Sequence, residues 1–109
     1  MTDAPSDDRA ESPYQGRPDH GLRLVLVRRG DRPPYHYEGH VHVSAASVPV
    51  RVEVSASAAV VHADAPGLEA DVVTRLEHTV SALVRAATRA ELGAGESPPR
   101  KIVRWRGFP

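Results

Sequence analysis

The chain of 109 residues contains no cysteine. Disulfides, thiolate nucleophiles and cysteine-based zinc sites are therefore excluded. Aromatic residues make up only 5% of the sequence, with one tryptophan and one phenylalanine. Any core must be built from Val, Leu and Ala. No run of 18 apolar residues occurs, so no transmembrane helix is expected. The first sixteen residues are acidic and hold no apolar stretch, unlike a secretory signal. A cytoplasmic setting is the default expectation. No Gly-rich phosphate loop is present, because Gly93-Ala94-Gly95 follows a helical pattern instead of preceding one. No Gly-x-Ser-x-Gly elbow surrounds any serine. Neither a catalytic site nor a cofactor site is expected.

Charge is balanced overall but not along the chain. Residues 1–19 carry Asp3, Asp7, Asp8, Glu11 and Asp19 against Arg9 and Arg17, a net of −3. The remainder carries +3, and the last ten residues hold Arg100, Lys101, Arg104 and Arg106 without an acid. Thirteen of the fourteen basic residues are arginine, which accords with a GC-rich codon supply as readily as with anion recognition. Residues 1–19 are rich in Pro, Ser, Asp and Gly. Such a segment buries too little apolar surface to offset its ordering entropy, so a disordered acidic tail is expected there. A single α+β domain is expected over 20–109.

Period-two alternation marks three strands. The first is Leu22 to Arg29, with Leu22, Leu24 and Leu26 on one face and Arg23, Val25 and Val27 on the other. Gly30 to Pro34 is a turn by composition. Tyr35 to Ser44 alternates Tyr35, Tyr37, Val41 and Val43 against His36, Glu38, His40 and His42. Val48 to Val54 alternates again, weakens through Ser55–Ala58 and resumes at Val60 and Val61. One long bent strand, or a strand with a bulge near Ser55–Ala58, fits that pattern. Pro49 cannot donate a ladder hydrogen bond, which predicts a sheet edge near it. Two registers for the second hairpin stay open. Pairing Val43 with Val48 leaves a four-residue loop and sets Glu38 opposite Glu53. Pairing Val43 with Ala46 sets Glu38 opposite Arg51 and His36 opposite Glu53, but its tight turn lacks Gly or Asn. The four-residue loop is favoured.

Leu68, Val72, Leu76, Val80, Leu83 and Ala87 recur at helical spacing. Asp64 is the expected N-cap, Pro66 suits a first turn, and Gly93 and Gly95 end the pattern. A helix from about 65 to 92 would run roughly 42 Å, against about 27 Å for an eight-residue strand. An overhang leaving Leu83, Val84 and Leu92 short of partners is therefore expected. Lys101 to Arg106 reads as a short fourth strand. The expected architecture is a three-stranded antiparallel meander, one long amphipathic helix on one face, and a C-terminal strand (βββαβ).

Three surfaces carry chemistry. Val25 and Val27 on the sheet face away from the helix, with Leu83 and Val84, form an apolar surplus. Such surplus suits a protein partner or homo-oligomer, and a small non-catalytic interaction module is the leading expectation. Arg100, Lys101, Arg104, Trp105 and Arg106 interleave basic residues with an aromatic, as phosphate contacts and base stacking require; nucleic-acid binding is the alternative. The competing role for this segment is a charged edge strand with Trp105 filling the core, and Arg23, Arg28 and Arg29 could extend the patch. A distant alternative is metal binding by His36, Glu38, His40 and His42. Alternate residues stand about 6.8 Å apart, so the histidines must lean together to share an ion. A cupin-type His-x-His strand adds a Glu a few residues later, and Val43 to Ser47 hold none.

Overall fold

A computed structural model describes residues 21–107 except residue 45. The tail expected over 1–19 lies outside the described residues. Five strands and one helix follow in the order β1 Leu22–Arg29, β2 Tyr35–Val43, β3 Ser47–Val54, β4 Ala59–Ala63, α1 Ala70–Gly93 and β5 Lys101–Arg106. All strand pairs are antiparallel, and the sheet order is β4-β3-β2-β1-β5.

The α+β class and the meander are as expected, but the sheet has five strands instead of four. The chain does not bulge at Ser55–Ala58; it reverses there. The Ser55 amide donates to the Ala58 carbonyl at 2.9 Å, and β4 returns along β3 with Val54 opposite Ala59. Four small residues permit the tight reversal, and Val60–Val61 are the start of a new strand. This return makes β3 an interior strand. Pro49 is nonetheless accommodated as its chemistry demands, because β4 ends where Pro49 begins. Asp64 donates to the Pro49 carbonyl at 2.9 Å, and the missing reciprocal donor falls at the end of the ladder.

The second hairpin takes the tight register, not the four-residue loop. Val43 and Ala46 exchange both backbone hydrogen bonds, at 2.8 and 3.2 Å. Glu38 then faces Arg51, and His36 faces Glu53. Cross-strand opposite-charge pairs favour this arrangement over Glu38 facing Glu53. That preference outweighs the lack of a Gly or Asn in the turn.

α1 begins at Ala70, not near Ala65. Glu69 is the N-cap in an extended conformation and makes no side-chain capping bond. Asp64 does not cap, because the helix begins only at Ala70; its amide instead extends the ladder to Pro49. At the other end Gly95 sits at φ 74°, in the left-handed region glycine favours, and the Glu96 amide reaches the Glu91 carbonyl at 2.7 Å. The helix of 24 residues runs about 36 Å.

One face of the sheet, the inner face, carries the core. Leu22, Leu24, Leu26, Tyr37, Val41, Val50, Val52 and Ile102 are buried there against Val80 and Val84 of α1. The helix does not overhang. Val84 is 0% exposed, and Leu83 and Leu92 pack against the core. The last turns lie below the strands, where Leu92 packs against the core and borders shallow hollows that the Ser55–Ala58 turn and Tyr35 also line. The connection into β5 is latched to the same end: buried Arg28 donates to the Pro98 carbonyl and Tyr37 to the Pro99 carbonyl.

α1 packs chiefly against β4. Two of its side chains bond the backbone groups that β4 turns away from β3. The Ala63 amide donates to the Glu77 carboxylate at 3.0 Å, and the Ser81 hydroxyl donates to the Ala59 carbonyl at 2.7 Å.

Candidate functional site: the outer sheet face

No side chain from α1 reaches the other face of the sheet by the register and burial described above. The continuous register places its residues in rows across the strands. Trp105, Arg23, His42 and Ser47 form the top row, from β5 to β3. Val103, Val25, His40 and Pro49 form the second. Lys101, Val27, Glu38, Arg51 and His62 form the third. Arg29, His36, Glu53 and Val60 form the bottom row.

The β1–β5 half is apolar at its centre. Val25 is half-buried between Val103 and His40. Val27 is 41% exposed and Trp105 60% exposed. Trp105 therefore does not fill the core. Its parity puts it on the outer face, while Ile102 supplies the one fully buried side chain of β5. The Arg23 guanidinium lies over the indole, 5.4 Å from its centroid, as a cation–π pair.

The other half is polar and paired. Arg29 Nε meets Glu38 Oε1 at 3.3 Å, and both are exposed. A shallow hollow of about 950 Å³ runs beside them, floored by β1 to β4 and lined by Val27, His40, Pro49, Arg51 and His62 among others.

His36, Glu38, His40 and His42 do share this face, since the register shows no bulge at Gly39. Gly39 is required there: a Cβ would stand 1.9 Å from the Val25 carbonyl oxygen. The four side chains do not converge. His40 and His42 stack with ring centroids 5.8 Å apart and planes 10° from parallel. His42 Nδ1 and Ser47 Oγ are 2.8 Å apart, His36 faces Glu53, and Glu38 is held by Arg29. Among the described residues no three His, Asp or Glu side chains are grouped to hold a metal ion.

The basic segment is divided by the fold. Lys101 and Trp105 join the outer face, and Arg104 and Arg106 alternate to the other side, both exposed. Arg104 Nη1 donates to the Val103 carbonyl at 2.9 Å. Arg100 lies 3.6 Å from Asp31 in the turn below. Arg28 does not extend any patch. It is buried on the inner face, over the Tyr35 ring, with Asp31 at 3.4 Å. Neither does Arg23 lie open, at 3% exposure. Of the interaction surface expected from sequence, Val25 and Val27 stand where they were placed. Leu83 and Val84 belong to the core and leave the site.

The edges of the sheet were not legible as unequal. Arg28 donates to the Arg100 carbonyl at 2.7 Å. By alternation, Ile102, Arg104 and Arg106 turn their backbone groups toward β1, and Lys101, Val103 and Trp105 turn theirs outward. Among the described residues no helix lies along this edge as α1 lies along β4.

No helix of the described residues is long and apolar enough to cross a membrane. No family model matches the chain, and no curated protein or solved structure matches it.

Proposed function

We propose that this chain is a small non-catalytic protein-binding module, acting as a homodimer or as a subunit of a larger assembly, that docks through the β1–β5 half of its outer sheet face. One observation carries the reading. Val25, Val27, Val103 and Trp105 are contiguous on a face that the helix leaves uncovered, with Val27 and Trp105 both exposed. Covering such surface returns about 25 cal/mol for each Å² removed from water. An exposed tryptophan beside an arginine guanidinium is the kind of anchor that dominates protein interfaces. Arg29, Glu38 and Lys101 border the strip and would orient a partner more than hold it.

The test is sedimentation equilibrium over a micromolar concentration range, with Val27→Lys and Trp105→Ala beside the wild type. Both positions are exposed, so both variants keep the fold. Association weakened by each substitution is the expected result. A monomer at every concentration removes the second copy as partner and leaves a different protein. A dimer indifferent to both variants places the interface elsewhere.

Nucleic acid is the second reading, supported by the exposed Trp105 indole, which shares the outer face with Lys101, and by Arg104 and Arg106, exposed on the other side of the same strand. Stacking one base on an aromatic side chain is worth about 1–3 kcal/mol. Against it, Glu38 and Glu53 occupy the same face, and the chain carries no net charge. Electrophoretic shifts at two salt concentrations decide. Salt-sensitive binding lost in Arg104→Ala with Arg106→Ala supports this reading, and no shift at low salt rejects it.

A further inference from the structure

The β5 end of the sheet finishes on backbone that the fold does not use. Arg100 bonds Arg28, so by alternation Ile102, Arg104 and Arg106 serve the ladder to β1. The amide and carbonyl groups of Val103 and Trp105 therefore point away from the sheet, and among the described residues no strand lies beyond them. Charge on an edge strand discourages pairing. The charged side chains of β5 stand off both faces of the sheet, and one of them returns to the edge. Arg104 Nη1 donates to the Val103 carbonyl at 2.9 Å. That bond is exposed, and a backbone amide brought alongside can replace it.

A second copy fits this edge. At the opposite end of the sheet, Glu77 and Ser81 of α1 bond the backbone of Ala63 and Ala59, so the edge one molecule offers another is β5 itself. Two antiparallel β5 strands related by a two-fold axis bond through their outward groups only in registers that pair odd-numbered residues. An axis at Val103 sets Val103 against Val103 of the copy and Trp105 against Lys101. An axis at Ile102 would set Trp105 against Pro99, which has no amide to give. An axis at Arg104 would set like charges directly opposite each other. The Val103 register puts Arg106 opposite Arg100, whose charge Asp31 offsets at 3.6 Å. It also continues the apolar row of Val25 and Val103 across the seam. Burial there adds the free energy that exposed hydrogen bonds alone supply only weakly.

We propose that two copies of this chain pair antiparallel through β5, centred on Val103, to form one continuous sheet. Arg104 guards the edge of the free molecule and gives up the Val103 carbonyl on pairing. The inference rests on the homodimer form of the function proposed above, but it puts the contact on the backbone edge beside the face.

Amide hydrogen exchange of the full chain, in dilute and concentrated samples, reads the edge residue by residue. The Ile102 and Arg104 amides, bonded to β1, are slow in both samples and serve as the reference. The Val103 and Trp105 amides should be fast when dilute and slow when concentrated. Val103→Pro removes the central outward amide and leaves the β1 ladder its donors. It should abolish the dimer in sedimentation, while Val103→Ala, which keeps the amide, should retain it. If Val103→Pro melts early, the exchange pattern of the parent chain still decides. Arg104→Ala should lower the dissociation constant, the reverse of the loss that a phosphate-binding role for Arg104 predicts. Fast Val103 and Trp105 amides in a sample shown to be dimeric overturn the proposal and leave the face reading standing. Slow ones in a dimer indifferent to Val27→Lys uphold it and remove the face contact. A monomer at every concentration overturns it and leaves the module to a different protein. An Arg104→Ala dimer no tighter than the parent overturns the guarding role.

Discussion

Tyr37 shows how one phenol joins the sheet to the chain that returns beneath it. Its ring is part of the core and its hydroxyl donates to the Pro99 carbonyl. Burial pushes its pKa above the ordinary value, the Arg28 guanidinium opposes that, and Glu91 and Tyr35 add to it. The folded state therefore keeps this proton to higher pH than the unfolded chain, in which the group titrates near 10. The associated stability is fully present below that pH and is lost as pH rises through the folded-state value. Tyr37→Phe should cost about 0.5–1.5 kcal/mol at neutral pH through the lost hydrogen bond. It should also flatten the alkaline decline, which denaturant titrations at neutral and alkaline pH will measure. An unchanged alkaline slope would assign the decline to other groups.

At the scale of elements, alternation located β1, β2 and β3 because each has one dry face and one wet one. It failed at β4 for a physical reason. Ser55 to Ala58 are all small, so neither bulge nor turn leaves a hydropathy mark, and only the Ser55–Ala58 hydrogen bond separates a reversal from a kink. The start of α1 differs because Asp64 and Pro66 carry start-of-helix chemistry, yet Asp64 still extends the ladder to Pro49 and the helix begins only at Ala70. Trp105 was misplaced because parity within β5 gives two faces without saying which is inner; its pairing with β1 decides that. The expected stripe holds at Leu76 and Val80, but Leu68 precedes the helix and the most buried line continues through Val84 and Thr88; the length of sheet available to cover it was also underestimated. Val84 and Val27, alike in sequence as candidate surface residues, should therefore separate by experiment. Val84→Glu buries an unpaired charge and should unfold the domain or cost several kcal/mol, on the order of 3–5. Val27→Lys should change stability by no more than about 0.5 kcal/mol. Thermal melts of the two variants compare them directly, and similar melting temperatures would mean that the helix does not pack as described.

For the whole molecule, the two ends of the sheet have different fates. A protein with two receptive edges can add copies without limit, each new subunit offering the next a template; that is the route to fibres. Here one end is shut by Glu77 and Ser81, which occupy backbone positions that an incoming chain would need. Among the described residues only β5 is left for growth by strand addition, and two molecules joined there would present nothing further to extend. The helix would thus act as a stopper, limiting any assembly built by strand addition to two copies without contacting the interface. Glu77→Ala combined with Ser81→Ala should remove the stopper while leaving β5 intact. Light scattering at increasing concentration should then show species larger than dimers, where the parent chain shows none. If the variant stays the size of its parent, the bulk of α1 suffices to close that end, and the two hydrogen bonds merely satisfy the backbone.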